Sequence, residues 1–96
     1  MSERHDHWRE SIAKTKDILD QYLAQMTAQA KDKYAVEPVG EWVEEEGTAD
    51  TPIGVTDSIN YRRAFTNGYE VVFYVASGIF KVYKDSAFVA DYWTRY

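Results

Sequence analysis

The sequence contains no cysteine, and its 96 residues include only two prolines and five glycines. Without cysteine the chain can form no disulfide, no zinc–thiolate site and no thiolate nucleophile. A chain of this kind is compatible with a reducing compartment, so we expect a cytoplasmic protein. Hydrophobic residues make up 45% of the chain and aromatic residues 16%. This composition is typical of one packed domain, and we assign a single domain to residues 1–96.

Long apolar runs are also lacking. The chain is polar from its first residues, and nothing in it approaches about eighteen uninterrupted apolar residues, so we expect neither a signal peptide nor a membrane span. The net charge of −5 disfavours direct binding of nucleic acid, which needs a basic surface. An acidic protein is better suited to a partner protein with a basic surface.

Cations are missing from one segment in particular. No Lys or Arg lies between Lys33 and Arg62, whereas seven acidic residues do. These are Glu37, Glu41, Glu44, Glu45, Glu46, Asp50 and Asp57. Such a segment can speed the encounter with a basic partner, or it can be a solvated sheet edge whose charge prevents aggregation. The sequence leaves both interpretations open.

Motifs of known catalytic or metal chemistry are absent from the sequence as well. We find no phosphate-binding glycine loop, no G-x-S-x-G turn and no EF-hand spacing. The run Glu44-Glu45-Glu46 cannot converge on one reacting atom, since adjacent strand residues point to opposite faces. His5 and His7 lack a third and a fourth metal ligand, and Asp6 between them suits a helix cap. We therefore predict no enzyme, no catalytic residue, no metal and no cofactor.

The hydrophobic pattern predicts an α+β fold. Apolar positions recur every three or four residues in the first third of the chain, which predicts one long helix over about residues 7–33. An acidic strand and loop follow over 36–57, where residues 46–57 have the Gly, Pro, Thr and Asp content of a loop. A β-meander is predicted over 58–94. We thus expect a long N-terminal helix packed on an antiparallel sheet of about four strands.

The turns between the predicted strands set the register. A two-residue turn at Ser77-Gly78 pairs Val75 with Phe80 and Phe73 with Val82. A three-residue loop over 66–68, with Gly68 in the left-handed conformation, aligns the preceding strand with the same apolar face. The predicted core consists of Trp8, Ile12, Leu19, Tyr22, Met26, Val71, Phe73, Val75, Phe80 and Val82.

The opposite face of the predicted sheet is rich in tyrosine. It would carry Val72, Tyr74, Ala76, Lys81, Tyr83, Phe88 and Tyr92. A single helix covers only one side of a sheet, so either the sheet curls and buries these residues or they face solvent. Exposed aromatic patches often mark interfaces, and tyrosine is enriched in binding hot spots. The two alternatives have similar weight.

A long helix followed by an antiparallel meander resembles the cystatin-like and NTF2-like cone folds. The same order of elements is similar to that of many small phage-encoded inhibitors and bacterial immunity proteins. The resemblance concerns architecture, and the short inhibitory motifs of cystatins are absent from this chain.

For function, these observations predict a small acidic binding protein that is not an enzyme. It would dock on and inhibit or regulate a larger protein with a basic or nucleic-acid-binding surface, as phage or mobile-element inhibitors and immunity proteins do. The predicted partner-binding residues are Glu41, Glu44, Glu45, Glu46, Asp50, Tyr74, Tyr83 and Tyr92. One alternative is a ligand-binding or minor enzymatic domain with a pocket lined by Trp42, Tyr61, Tyr69 and Trp93. Another is a structural homodimer formed through the tyrosine face or the helix.

Overall fold

A computed structural model describes residues 3–94 and contains two helices packed on a five-stranded antiparallel sheet. The strands lie in the sheet in chain order, which is a meander. The elements are α1 Glu3–Lys14, α2 Lys16–Tyr34, β1 Val43–Thr51, β2 Gly54–Ala64, a 3-10 turn Thr66–Gly68, β3 Tyr69–Tyr74, β4 Ile79–Lys84 and β5 Ala87–Trp93. The predicted α+β class is confirmed, with one strand more than the four expected.

The predicted single helix is divided in two at Thr15. The Thr15 hydroxyl donates to the carbonyl of Ser11 at 3.1 Å, and the Thr15 amide donates to the carbonyl of Ile12 at 3.0 Å. Thr15 itself leaves the helical conformation, with φ −123° and ψ 26°. Thr27 makes the same hydroxyl bond to Leu23 within the unbroken second helix, so the bond alone does not divide a helix. No glycine or proline lies at the break, so the sequence pattern predicts one continuous helix. The second helix ends at Ala35, whose φ of 53° is the left-handed conformation of a helix C-terminus.

The predicted loop over 46–57 is in fact most of a β-hairpin. β1 pairs with β2 from Val43–Arg62 to Thr51–Gly54, and only Pro52 and Ile53 lie between the two strands. Threonine and valine are frequent here and favour extended backbone. The acidic segment is therefore a strand at the edge of the sheet.

Gly47, in the middle of β1, looked like a loop residue but serves close packing. A Cβ atom at this position would lie 2.7 Å from Nδ2 of Asn60, which is closer than real contacts allow. The absence of a side chain lets the Asn60 amide fit beneath β1 and donate to the carbonyl of Thr48 at 3.2 Å. A glycine within a strand often marks such a close approach.

The core lies between the helices and the face of the sheet that they cover. Leu19, Ile59, Val71 and Phe73 are completely buried there. Of the ten predicted core residues, eight are buried, and the other two, Trp8 and Tyr22, are half-buried against the same cluster. Burying each large apolar side chain contributes roughly 1.5–3 kcal/mol.

The two turns test the predicted register with different outcomes. The three-residue loop before β3 is confirmed: Gly68 has a φ of 76°, and the amide of Phe65 donates to the carbonyl of Tyr69 at 2.8 Å. The β3–β4 connection differs, because Phe73 pairs with Phe80 and the loop comprises residues 75–78. This is a slip of two residues from the predicted pairing. An even slip keeps every side chain on its face, which is why the predicted core still holds.

Candidate functional site

The face of the sheet opposite the helices is concave. β1 and β4 are three positions apart in the sheet, yet side chains from both line one groove of about 470 Å³ on this face. The sheet therefore bends so that the β1–β2 hairpin rises over the face. Its lining includes Asp50, Tyr74, Ser77, Lys81, Tyr83 and Asp91. We call this the concave groove.

Two tyrosines from neighbouring strands form a hydroxyl pair in the concave groove. The hydroxyl oxygens of Tyr74 and Tyr83 are 3.0 Å apart, and Nζ of Lys81 lies 5.3 Å from the centre of the Tyr74 ring. Burial raises the pKa of Tyr74 above its ordinary value, and the hydrogen bond with Tyr83 raises it further. The groove thus presents half-buried aromatic area together with hydroxyl groups, a combination typical of binding surfaces.

The concave groove holds one charged side chain of each sign. Lys81 and Asp91 lie opposite each other in the strand register, on the face of Tyr74 and Tyr83. Asp50 borders the groove, but its pairing with Val55 turns its side chain to the other face of β1, which Glu44 and Glu46 share. Asp50 and Asp91 are exposed, and within residues 3–94 neither carboxylate forms an ion pair within 4.0 Å.

The glutamates of the acidic segment are arranged differently from the aspartates. Glu45 accepts from Arg62 at 3.1 Å, Glu46 pairs with Arg9, and Glu44 accepts from the Tyr61 hydroxyl at 2.6 Å. Glu41 lies 3.9 Å from Arg63 and is almost fully exposed. The segment lacks cations along the chain, but strand pairing and helix packing bring cations to it. Glu45 and Glu46 are thus paired with cations, whereas Glu44, Asp50 and Asp57 have no ion pair within 4.0 Å among residues 3–94.

Tyr92 is not on the tyrosine face where the sequence placed it. β5 contains an extra residue, Val89, because Val82 pairs with Ala90 whereas Tyr83 pairs with Phe88. This bulge reverses the alternation, so Tyr92 points to the helices and stacks on Phe80 with ring centres 5.1 Å apart. The predicted set is thus split: Tyr74 and Tyr83 meet in the concave groove, Asp50 only borders it, and Tyr92 belongs to the helix side.

The residues of the alternative ligand pocket are also separated. Trp42 and Tyr61 line one groove against α2, together with Glu41, Glu44 and Arg63. Tyr69 packs on Tyr34, and Trp93 lies at the end of β5 with 74% of its surface exposed. The structure brings these four aromatic residues to different places rather than to one cavity.

A second groove, which the sequence did not indicate, lies under the junction of the two helices. It has a volume of about 510 Å³ and is lined by Trp8, Ser11, Thr15, Ile18, Trp93, Thr94 and residues 75–78. None of these lining residues is charged. We call it the helix-junction groove. The break at Thr15 positions it, and a pattern that predicts a continuous helix cannot show such a site.

His5 and Trp8 attach α1 to the β1–β2 hairpin. Nε2 of His5 lies 3.0 Å from the carbonyl of Gly47, and the indole nitrogen of Trp8 donates to the carbonyl of Asp57 at 3.0 Å. The ring of His7 contacts Trp8 edge-on.

In residues 3–94 no group of three histidine or acidic side chains is arranged to hold a metal ion. No helix in that range has the length and apolarity needed to cross a bilayer.

Comparison of the chain with protein-family models, with curated proteins and with solved structures found no match in any of the three. The function is therefore inferred from the concave groove and from the chemistry of its side chains.

Proposed function

We propose that this protein is a small, non-enzymatic binding protein that docks through its concave face on a larger protein with a basic surface and inhibits or regulates it. The observation that carries the proposal is the half-buried Tyr74–Tyr83 pair, which lines one groove together with Asp91 on the face that the helices leave uncovered. Inhibitors and immunity proteins of phages or mobile elements would act in this way.

The chemistry of the groove favours a basic partner. An arginine or lysine side chain can lay its stem on a tyrosine ring and direct its charge to Asp91. Half-buried tyrosines lose little rotamer freedom on binding and provide large contact areas. The Tyr74 hydroxyl is held by its partner hydroxyl, so it is already oriented before the partner arrives.

Electrostatic attraction at longer range comes from the whole molecule. Its net charge of −5 would speed the encounter with a basic surface, and salt would reduce this effect. The paired glutamates contribute to this overall charge. Because Glu45 and Glu46 are already engaged by Arg62 and Arg9, we assign them a smaller part in direct contact than the groove aspartates.

Affinity capture from the native host tests the proposal. The full chain is immobilised and proteins are captured at low salt, with Asp50→Asn/Asp91→Asn as the groove variant. The control, Asp17→Asn/Asp32→Asn, makes the same change of net charge on the exposed surface of α2. We expect the same basic protein to be retained by the wild type and the control, released by salt, and bound at least about tenfold more weakly by the groove variant.

Addition of the purified partner completes the test. Its own activity should change when this protein is added and should not change with the groove variant. Equal loss of binding in both double variants would mean that only net charge matters, and undiminished binding by the groove variant would remove the concave groove from the proposal.

A further inference from the structure

The distal part of the β1–β2 hairpin, residues 48–57, extends beyond the rest of the sheet. β2 pairs with β1 from Gly54 to Arg62, but with β3 only from Asn60 to Ala64. We call residues 48–57 the hairpin arm. We infer that the tip of this arm makes a second contact with the partner, in which Ile53 enters an apolar pocket bordered by arginine or lysine. The inference rests on the proposed docking to a basic protein, but it does not depend on the concave groove.

The tip of the hairpin arm carries apolar side chains where a turn usually carries polar ones. Ile53 is 99% exposed, and Val55, two residues further along the chain, is 70% exposed. Turns favour Gly, Pro, Asn, Asp and Ser, and an isoleucine contributes nothing to a turn. The acidic residues of an edge strand are explained by protection against edge-to-edge aggregation. An exposed isoleucine next to them favours association, so the same explanation does not cover it.

The tip of the hairpin arm is fixed by contacts within this chain. Pro52 restricts its own backbone φ, and the Thr51 hydroxyl donates to the carbonyl of Gly54 at 2.7 Å across the turn. At the base of the arm, the indole nitrogen of Trp8 donates to the carbonyl of Asp57 at 3.0 Å. A side chain presented on a preorganised turn binds without the entropy cost of ordering a loop.

The face of the hairpin arm that contains Val55 is acidic. Asp50 is the cross-strand partner of Val55, and Thr48 is that of Asp57, so these four side chains share one face. Among residues 3–94 neither Asp50 nor Asp57 has an ion pair within 4.0 Å. Carboxylates beside an exposed apolar tip complement an apolar pocket with a cationic rim. A second copy of this chain, with the same net charge of −5, is a poorer match.

Photocross-linking from the tip tests which surface the hairpin arm contacts. The full chain carries p-benzoylphenylalanine at position 53 and is irradiated in an extract of the native host at low salt. The same group at position 18, where Ile18 is 49% exposed on α2, is the control. We expect one basic protein to be linked from position 53 and not from position 18. The linked peptide should contain apolar residues next to arginine or lysine.

Titration with that purified protein then measures the contribution of single side chains. We expect Ile53→Ala to weaken binding about tenfold, and the matched control Ile18→Ala to leave it unchanged. Asp50→Asn should also weaken binding about tenfold and reduce its salt dependence. The urea midpoint of Ile53→Ala should equal that of the wild type, because a side chain with 99% exposure does not support the fold.

The outcomes separate this inference from the proposed function. Binding that Asp91→Asn weakens and Ile53→Ala does not would overturn the contact through the arm and leave the concave groove in place. Binding that Ile53→Ala weakens and Asp91→Asn does not would support the arm and remove the groove from the proposal. Retention of no protein by the wild type would overturn both.

Three further results would overturn the inference alone. One is equal cross-linking from positions 53 and 18, or none from position 53 to a protein that the wild type retains. Another is a lower urea midpoint for Ile53→Ala, which would assign Ile53 to the fold. The third is self-association of the free protein that Ile53→Ala abolishes, measured by sedimentation, because the tip would then bind a second copy of this chain.

Discussion

Phe73 and Tyr74 are neighbours in β3, but they belong to opposite faces of the sheet and to different tasks. Phe73 is completely buried among the helices, whereas Tyr74 is half-buried on the concave face with its hydroxyl paired to another tyrosine. The helix side holds most of the buried apolar side chains, whereas the other side combines the buried Val72 with polar and aromatic groups that are partly open to solvent. The same five strands therefore concentrate stability on one face and leave the other available for contact.

A tyrosine hydroxyl pair occurs on each face, which makes the contrast more specific. The hydroxyls of Tyr34 and Tyr92 are 2.7 Å apart between α2 and β5, and those of Tyr74 and Tyr83 are 3.0 Å apart in the concave groove. The first pair joins a helix to the sheet. The second joins two strands and borders a groove. One residue type thus serves packing on one side and, in our proposal, recognition on the other.

The largest expected effect of a single substitution is on the helix side. Phe73→Ala should lower the free energy of unfolding by about 3–5 kcal/mol, because it removes a completely buried ring and leaves a cavity. Phe88→Ala on the opposite face is the control, since Phe88 is 58% exposed and should cost less than about 1 kcal/mol. Urea denaturation measures both. Similar losses of unfolding free energy for the two variants would contradict the assignment of stability mainly to the helix side of the sheet.

The packing of the Asn60 amide against β1 should depend on Gly47. A methyl group at this position lies within 2.7 Å of Nδ2 of Asn60, so Gly47→Ala should displace the Asn60 amide from Thr48. Overpacking of this kind costs about 1–3 kcal/mol. Gly40→Ala, which meets no atom within 4 Å, is the matched control. Adding Asn60→Ala should relieve part of the loss in a double-mutant cycle, and purely additive losses would show that the contact has no such role.

Alkaline pH should affect the helix-side pair. Burial, followed by the hydrogen bond with Tyr92, raises the pKa of Tyr34 from 10.0 to about 12. Between these values the folded protein keeps a proton that the unfolded chain has lost, so this contribution is complete below pH 10 and disappears toward about pH 12. Tyr92 has the opposite shift: the hydrogen bond from Tyr34, and then Lys33, lower its pKa.

Tyr34→Phe should remove this alkaline loss, as measured by urea denaturation at a series of pH values from about 9 upward. Absorbance titration of the tyrosines should in parallel lose a step near pH 12. Tyr22→Phe is the control for the number of tyrosines. An unchanged late step in Tyr34→Phe would assign it to another residue.

The smallest expected effect belongs to the acidic strand. Glu45→Gln should change the free energy of unfolding by less than about 1 kcal/mol, because Glu45 and its partner Arg62 are both well exposed to solvent. It should also affect partner association less than Asp50→Asn does. Stopped-flow association at several salt concentrations would measure the second comparison. A larger effect from Glu45 than from Asp50 would return the recognition role to the paired glutamates.

Several features could be predicted from the sequence because they depend on local alternation. The core side chains of β3 and β4 keep their predicted face despite the altered pairing, since a slip of two residues preserves parity. The left-handed Gly68 follows directly from its loop. Thr15 and Val89 had no such local signal. Thr15 takes a non-helical conformation between α1 and α2, and Val89 adds a residue to β5 and moves Tyr92 to the opposite face.

The candidate site shows the same limit. Asp50, Tyr74 and Tyr83 were recognised as unusual residues, but their meeting depends on how far the β1–β2 hairpin bends over the sheet. The pairing of Glu46 with Arg9 depends on the placement of α1. Neither the bend of the hairpin nor the placement of α1 can be read from the spacing of residues along the chain. The helix-junction groove likewise exists only because two helices meet at an angle above β3 and β4.

The sequence by itself determined the class of fold, the apolar face and the acidic excess, because periodicity and composition are properties of neighbouring residues. The tertiary structure alone decided which of those charges remain uncompensated and which tyrosines share a surface. The physical reason is that ion pairs and grooves form between groups brought together by strand pairing and sheet curvature, and both of these depend on interactions between residues distant in the chain.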